Sequence, residues 1–233
     1  MGINKVNARK FLIALTSTAL IVAMPTSFAD SKIAKTAEKA KSICVKTKAV
    51  AHKPINVKIP TITTPVKNRT FTFQTNCGDI VVQTDGAATP LTLTALTALV
   101  NAGWYTKSLC HRLTTQGIYV IQCGDPTATG SGGPQWRYPD ENLPDATTNN
   151  YPEGIVAMAN SGAKTNGSQI FFVYKNTQLP PNYTIWGKIT KGLDIVKYVA
   201  SQKAAKQGSD GKWYYAPDGY PIQTVKLISV KAS

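Results

Sequence analysis

Only two histidines, His52 and His111, and no Cys-x-x-Cys pair occur in this chain, so the usual ligand sets for zinc are missing and no metal is expected. Ser168 lies outside any Gly-x-Ser-x-Gly frame and neither histidine is assigned to it as a base, which removes a common hydrolase signature. The longest mostly apolar run, residues 11–24, covers fourteen positions, short of the roughly 20 that span a bilayer. Acids are scarce too, 12 against 26 basic residues, for a formal net charge of +14. No internal repeat is present, which excludes solenoids and propellers.

What is present begins with an uneven charge distribution. Lys5, Arg9 and Lys10 precede the apolar run, and Pro25 and the small-residue end Ser27, Phe28, Ala29 follow it. That is the layout of an export signal cut after Ala29, with an uncleaved membrane anchor over 1–29 as the alternative. No cysteine stands at the cut, so lipoprotein attachment by that route is excluded. Residues 30–69 hold ten basic and two acidic side chains, whereas 70–233 hold thirteen and ten. The basic character therefore belongs to an arm. Pro54, Pro60 and Pro65 keep that arm extended, and 30–68 reads as a lysine-rich linker. Such an arm suits an anionic membrane or cell-wall surface, and equally a solvated spacer; export removes nucleic acid as a partner. An exported chain, extracellular or associated with the cell envelope, meets oxidising conditions, where Cys44, Cys77, Cys110 and Cys123 can form two disulfides in three connectivities. Cys110 and Cys123 flank two candidate paired strands, which favours a bond between them.

Residues 69–233 form the domain, and the 42% apolar content of the chain is ample for a single core. FTFQT and DIVVQT read as a hairpin turning at Asn76–Asp79. TPLTLTALTALVNAG reads as a helix, with Thr89 as the N-cap, Pro90 at the first helical position, Leu91, Ala95, Leu99 and Ala102 along one face, and Gly103 as the stop. CHRL, IYVIQ, GIVAMA, SQIFFVY and YTIWGKI are short β-like runs between turn-rich loops, a pattern for a barrel or sandwich and not for a parallel sheet. GLDIVKYVAS is a second helix with Leu193, Val196, Val199 and Ala200 inward; WYYAPDGYP reads as a loop, and IQTVKLISV as the closing strand.

Within this order, 110–133 (CHRLTTQGIYVIQCGDPTATGSGG) sets Arg112 and Gln122 on neighbouring short strands beside a glycine-rich, flexible rim. The second half of the constellation is GIVAMANSGAKTNGSQIFF at 154–172, where an apolar run breaks into a polar loop and resumes. HR at 111–112, QCGDPTATGSGG at 122–133, DEN at 140–142, MANSGAKTNGSQIFF at 158–172 and YTIWGKI at 183–189 together resemble the cyclophilin-type peptidyl-prolyl cis/trans isomerases. The resemblance implies a mainly β fold, a closed eight-stranded antiparallel barrel capped by two helices, with a substrate groove on its outer wall. It implies Arg112 as the catalytic arginine with Gln122 beside it. Tyr119, Val120, Phe171, Leu179 and Tyr183 would line a proline-ring pocket, and Ala159, Asn160 and Gln169 would bind the substrate backbone. The implied partners are proline-containing polypeptides, the implied state is a monomer, and no cofactor is implied. A cyclophilin-fold module that holds such segments without turnover, attached to the cell surface by its basic arm, is the alternative. Arg112 and Gln122 stand ten apart where the family usually has eight, so two extra residues must bulge or lengthen the hairpin. Gln178 stands where many eukaryotic members carry a tryptophan important for cyclosporin, which implies weak binding of that drug.

The residue types suit the chemistry. An X-Pro amide interconverts slowly because rotation breaks partial double-bond character, at a barrier of about 20 kcal/mol. A donor aimed at the prolyl nitrogen favours the twisted amide, in which that nitrogen regains its lone pair, over both planar isomers. Arginine stays charged and presents several donors in a planar fork.

Overall fold

In a computed structural model of the chain, residues 43–62 and 66–233 are described. The expected export signal or anchor over 1–29 lies outside the described residues. Among those described, no helix is long and apolar enough to cross a membrane.

The first hairpin pairs β1 (Thr70–Thr75) with β2 (Gly78–Thr84). Alternation puts Phe71 and Phe73 of β1 opposite Val82 and Ile80 of β2, all four buried in the main core. Helix α1 (Pro90–Asn101) follows. Thr89 does not cap it; its hydroxyl bonds back to the Asp85 carbonyl. The cap is tertiary: the Glu141 carboxylate accepts from the Leu91 and Thr92 amides, 2.8 Å each, satisfying donors that the first turn leaves open. The buried face is rotated from the expected one: Leu93, Ala95, Leu96 and Leu99 point inward, while Ala102 is exposed.

The short runs become β3 (Arg112–Thr114), β4 (Val120–Cys123), β5 (Ile155–Met158), β6 (Ile170–Val173) and β7 (Ile185–Lys191). Helix α2 (Leu193–Ser201) buries Val196, Val199 and Ala200. Its entry needs Gly192, which has φ +87° and where a Cβ would come within 2.4 Å of the Asp79 carbonyl oxygen. After β8 (Ala204–Gln207), the stretch read as a loop forms two strands instead, β9 (Trp213–Ala216) and β10 (Asp218–Pro221), and the three make an antiparallel extension before β11 (Leu227–Ala232) ends the fold.

The closed eight-stranded barrel is not what forms. The strands make one eleven-stranded sheet, ordered β11-β1-β2-β7-β5-β6-β4-β3-β10-β8-β9, which does not return on itself. The reason lies at β3. Its outer edge is taken by β10, with Asp218 opposite Thr114 and Gly219 opposite Leu113. The chain ahead of β3 meets the chain entering β11 at a bridge, Leu109 to Lys226, and through the Lys107 amide donating to the Leu227 carbonyl, without forming a ladder. The expected mainly antiparallel sheet with two helices stands; the closure does not.

Cys44 bonds Cys77, and Cys110 bonds Cys123. The first bond fastens a segment expected to be linker. Residues 43–62 carry no helix or strand, yet Val57 is buried, its carbonyl accepts from Trp136 Nε1 at 2.7 Å, and the His52 amide donates to the Pro126 carbonyl.

Candidate active site

Register places the candidate residues on one face. Arg112 is opposite Gln122, Gln122 opposite Phe171, and Phe171 opposite Ala157, across β3, β4, β6 and β5. Their neighbours Leu113, Ile121, Phe172 and Val156 point the other way, into the main core. The face left outward carries a second apolar cluster of Val120, Tyr151, Ala157, Phe171 and Val173, with Leu179 and Tyr183 packed against it. Phe171 and Tyr183 meet edge to face at 5.6 Å between centroids, and Tyr151 lies 6.1 Å from both. Burial pushes the Tyr151 phenol up to about 12, so it stays protonated; it donates to the Tyr183 carbonyl and accepts from the Tyr183 amide, fixing that residue.

Beside the cluster runs a row of polar groups. Arg112 Nη1 approaches Gln122 Oε1 at 3.4 Å, and Gln122 Nε2 donates to Gln169 Oε1 at 2.7 Å. Gln169 Nε2 donates to the carbonyls of Gly130 and Gly132. At the other end Asp218 grips the guanidinium through two bonds, Nε to Oδ1 at 2.8 Å and Nη2 to Oδ2 at 2.7 Å. The bonds and charge of Arg112 hold the Asp218 carboxyl below the usual range, so it is ionised at neutral pH.

The glycine-rich rim is pinned. Asp125 accepts from the amides of Thr127, Thr129, Gly130 and Gly132, wrapping the loop round one carboxylate. Burial alone would raise this carboxyl; the Thr127 hydroxyl and the Gly132 and Thr127 amides bring it below its ordinary value instead. His111, behind the loop, is buried, and desolvation lowers its pKa, which keeps it neutral and structural.

Most expected residues therefore come together: Arg112, Gln122 and Gln169 in the row, and Val120, Phe171, Leu179 and Tyr183 in the cluster. Ala159 lies at the cluster's edge, and Ala159, Asn160, Gln122 and Gln169 also line a polar recess of about 70 Å³. The Asn160 side chain is committed to the Asn182 carbonyl at 2.8 Å. Tyr119 is the exception. One residue before Val120, it projects from the opposite face, packs against the main core and Tyr174, and lies under Lys175 Nζ. Two further residues were not foreseen, Tyr151 and Asp218. Tyr151 follows the proline-containing loop after DEN without a motif, and Asp218 reaches Arg112 across 106 positions, so neither had a local signal.

Residues 70–232 match the family described as cyclophilin type peptidyl-prolyl cis-trans isomerase/CLD. The chain belongs to that family. Among its relatives, the probable peptidyl-prolyl cis-trans isomerase B of Mycobacterium leprae is 39% identical over 165 residues, 66% of this chain and 55% of that protein. The protein of the same name from Mycobacterium tuberculosis is 36% identical over 177 residues, 70% of this chain and 56% of that one. The chain thus spans about half the length of these mycobacterial proteins. The peptidyl-prolyl cis-trans isomerase-like 3 of Dictyostelium discoideum, 40% identical over 129 residues, is covered to 78%. In fold, the chain is similar to a cyclophilin type isomerase of Cryptosporidium parvum, with TM-score 0.58, 24% identity, and coverage of 72% of this chain and 98% of that one. A second crystal structure of that parasite protein, determined in the presence of the dipeptide ala-pro, matches with TM-score 0.56, 24% identity, and coverage of 70% and 98%.

Proposed function

We propose that this cyclophilin is a peptidyl-prolyl cis/trans isomerase acting on X-Pro bonds of exported proteins. The observation that carries the reading is the placement of one guanidinium at the rim of one apolar cluster on the outer face of the sheet. In this reading Val120, Phe171, Leu179 and Tyr183 hold the proline ring. A free N–H of Arg112 donates to the prolyl nitrogen as it pyramidalises, with Gln122 steadying the arginine. Gln169 and the main chain at Ala159 and Asn160 hold the peptide so that one end turns. The ala-pro dipeptide used with the parasite relative is the kind of ligand such a cluster would take. No covalent step is required; preferential binding of the twisted amide lowers the barrier. One well-placed donor in a partly dry site contributes about 3–4 kcal/mol, or several hundredfold in rate.

A protease-coupled assay on an Ala-Pro peptide tests this directly. Arg112→Ala is expected to lose roughly a hundredfold or more in kcat/KM with its fold unchanged. Wild-type protein no faster than that variant would refute catalysis. It would favour the binding-module alternative, for which the displacement of Tyr119 from the ring-holding cluster is the supporting observation.

Two disulfides are consistent with work in an oxidising compartment, which supports export. Lys46, Lys48, Lys53 and Lys58 of the fastened arm are all exposed and would suit an anionic envelope surface. Binding to vesicles containing anionic lipid, compared between residues 30–233 and a chain beginning at Thr70, should drop on deletion; equal binding removes the arm from that role.

A further inference from the structure

We propose that Asp218 is a positioning residue for Arg112, carried to the active site by the β8–β9–β10 extension; the inference rests on the isomerase reading above. The first support is geometric. Two donors on one edge of the guanidinium, Nε and Nη2, meet the two oxygens of a single carboxylate at 2.8 and 2.7 Å, a fork that fixes the plane of the group as well as its location. Nη1 then lies on the side of Gln122. An untethered arginine would spread over many rotamers, and only a fraction of them would present a donor toward the apolar cluster.

The second support is how firmly the carboxylate itself is held. Asp218 sits in a paired strand, opposite Thr114, two residues along β3 from Arg112 and so on the same face. The next residue must be glycine, because a Cβ at Gly219 would come within 2.4 Å of the Ala205 carbonyl oxygen; β10 thereby lies flush between β3 and β8. Tyr220 Oη donates to the Ala128 carbonyl at 3.0 Å, tying the extension to the loop whose Gly130 and Gly132 carbonyls anchor Gln169. Asp218, Arg112, Gln122, Gln169 and that loop thus form a ring of contacts closed by Tyr220. Stability is the smaller part of the tie: the side chains are 40% and 54% exposed, where solvent screens an ion pair, so even a forked one contributes little. Its larger consequence is orientation.

The experiment compares wild type, Asp218→Asn, Asp218→Glu and Arg112→Ala on an Ala-Pro peptide, with kcat and KM resolved, and follows the Arg112 Nε–H by 15N NMR in the full chain. Asp218→Asn is expected to lower kcat roughly tenfold or more while KM stays within about twofold, since a misplaced group loses near-attack geometry. Asp218→Glu should recover part of the loss, because it restores the charge and the fork. The Arg112 Nε–H, bonded to Asp218 Oδ1 in the wild type, is expected to exchange slowly there and faster in Asp218→Asn. Turnover by Asp218→Asn equal to or above wild type, or a change confined to KM, overturns the inference while an inactive Arg112→Ala leaves the isomerase reading standing. Wild type no faster than Arg112→Ala removes the reading and the inference together.

Discussion

The two ends of the outer face are built in different ways. The apolar end is made by adjacent central strands, where Val120, Phe171 and Ala157 face outward because their neighbours Ile121, Phe172 and Val156 must face the core. The arginine end lies on a three-residue strand and is held by a carboxylate from a segment 106 positions later. One end is a by-product of building the sheet, so it cannot be removed without cost to folding. The other is an addition at its margin, which chemistry can depend on and stability need not.

That contrast can be broken or sharpened by mutation. The largest effect is expected for Phe171→Ala. Phe171 is buried, with Tyr151 and Tyr183 packed on it, and its loss should destabilise the fold by about 3–5 kcal/mol in urea unfolding. Because the same ring would hold the proline, affinity for an Ala-Pro peptide should fall as well. A loss under about 1 kcal/mol would mean the cluster is not a structural element.

Glu141→Ala tests a joint between the two regimes. It removes the cap of α1, while the Glu141 amide bonds the Thr184 hydroxyl next to Tyr183. A loss of about 0.5–2 kcal/mol is expected, with peptide turnover nearly unchanged. Turnover falling in step with Arg112→Ala would instead place Glu141 in the site. The smallest effect on stability belongs to Asp218→Asn, under about 1 kcal/mol for an exposed pair, set against its expected effect on kcat. A larger loss of stability than of turnover would merge the two ends into one construction.

Much of the site was legible in the sequence because its residues lie in contiguous motifs. QCGDPTATGSGG and MANSGAKTNGSQIFF carry Gln122, Ala159, Asn160, Gln169 and Phe171 in fixed order, and the strands follow from short β-like runs between turns. Tyr119 went astray because the hairpin between β3 and β4 is two residues longer than the usual one, and strand alternation gives adjacent residues opposite faces. The face of α1 was misjudged for a related reason. Its threonines blur the apolar stripe, and only packing shows that Leu93 and Leu96 lie inward.

By itself the sequence determined the local elements, the charge asymmetry between arm and domain, and the set of side chains available to the site, since propensity, alternation and motif are properties of neighbours along the chain. Tertiary structure alone decided what fills the margin of β3. There WYYAPDGYP becomes two strands, the sheet stays open, and Asp218 meets Arg112. A strand edge accepts whichever segment brings matching hydrogen bonds, and nothing in the residues around Arg112 encodes a partner that arrives from the far end of the chain.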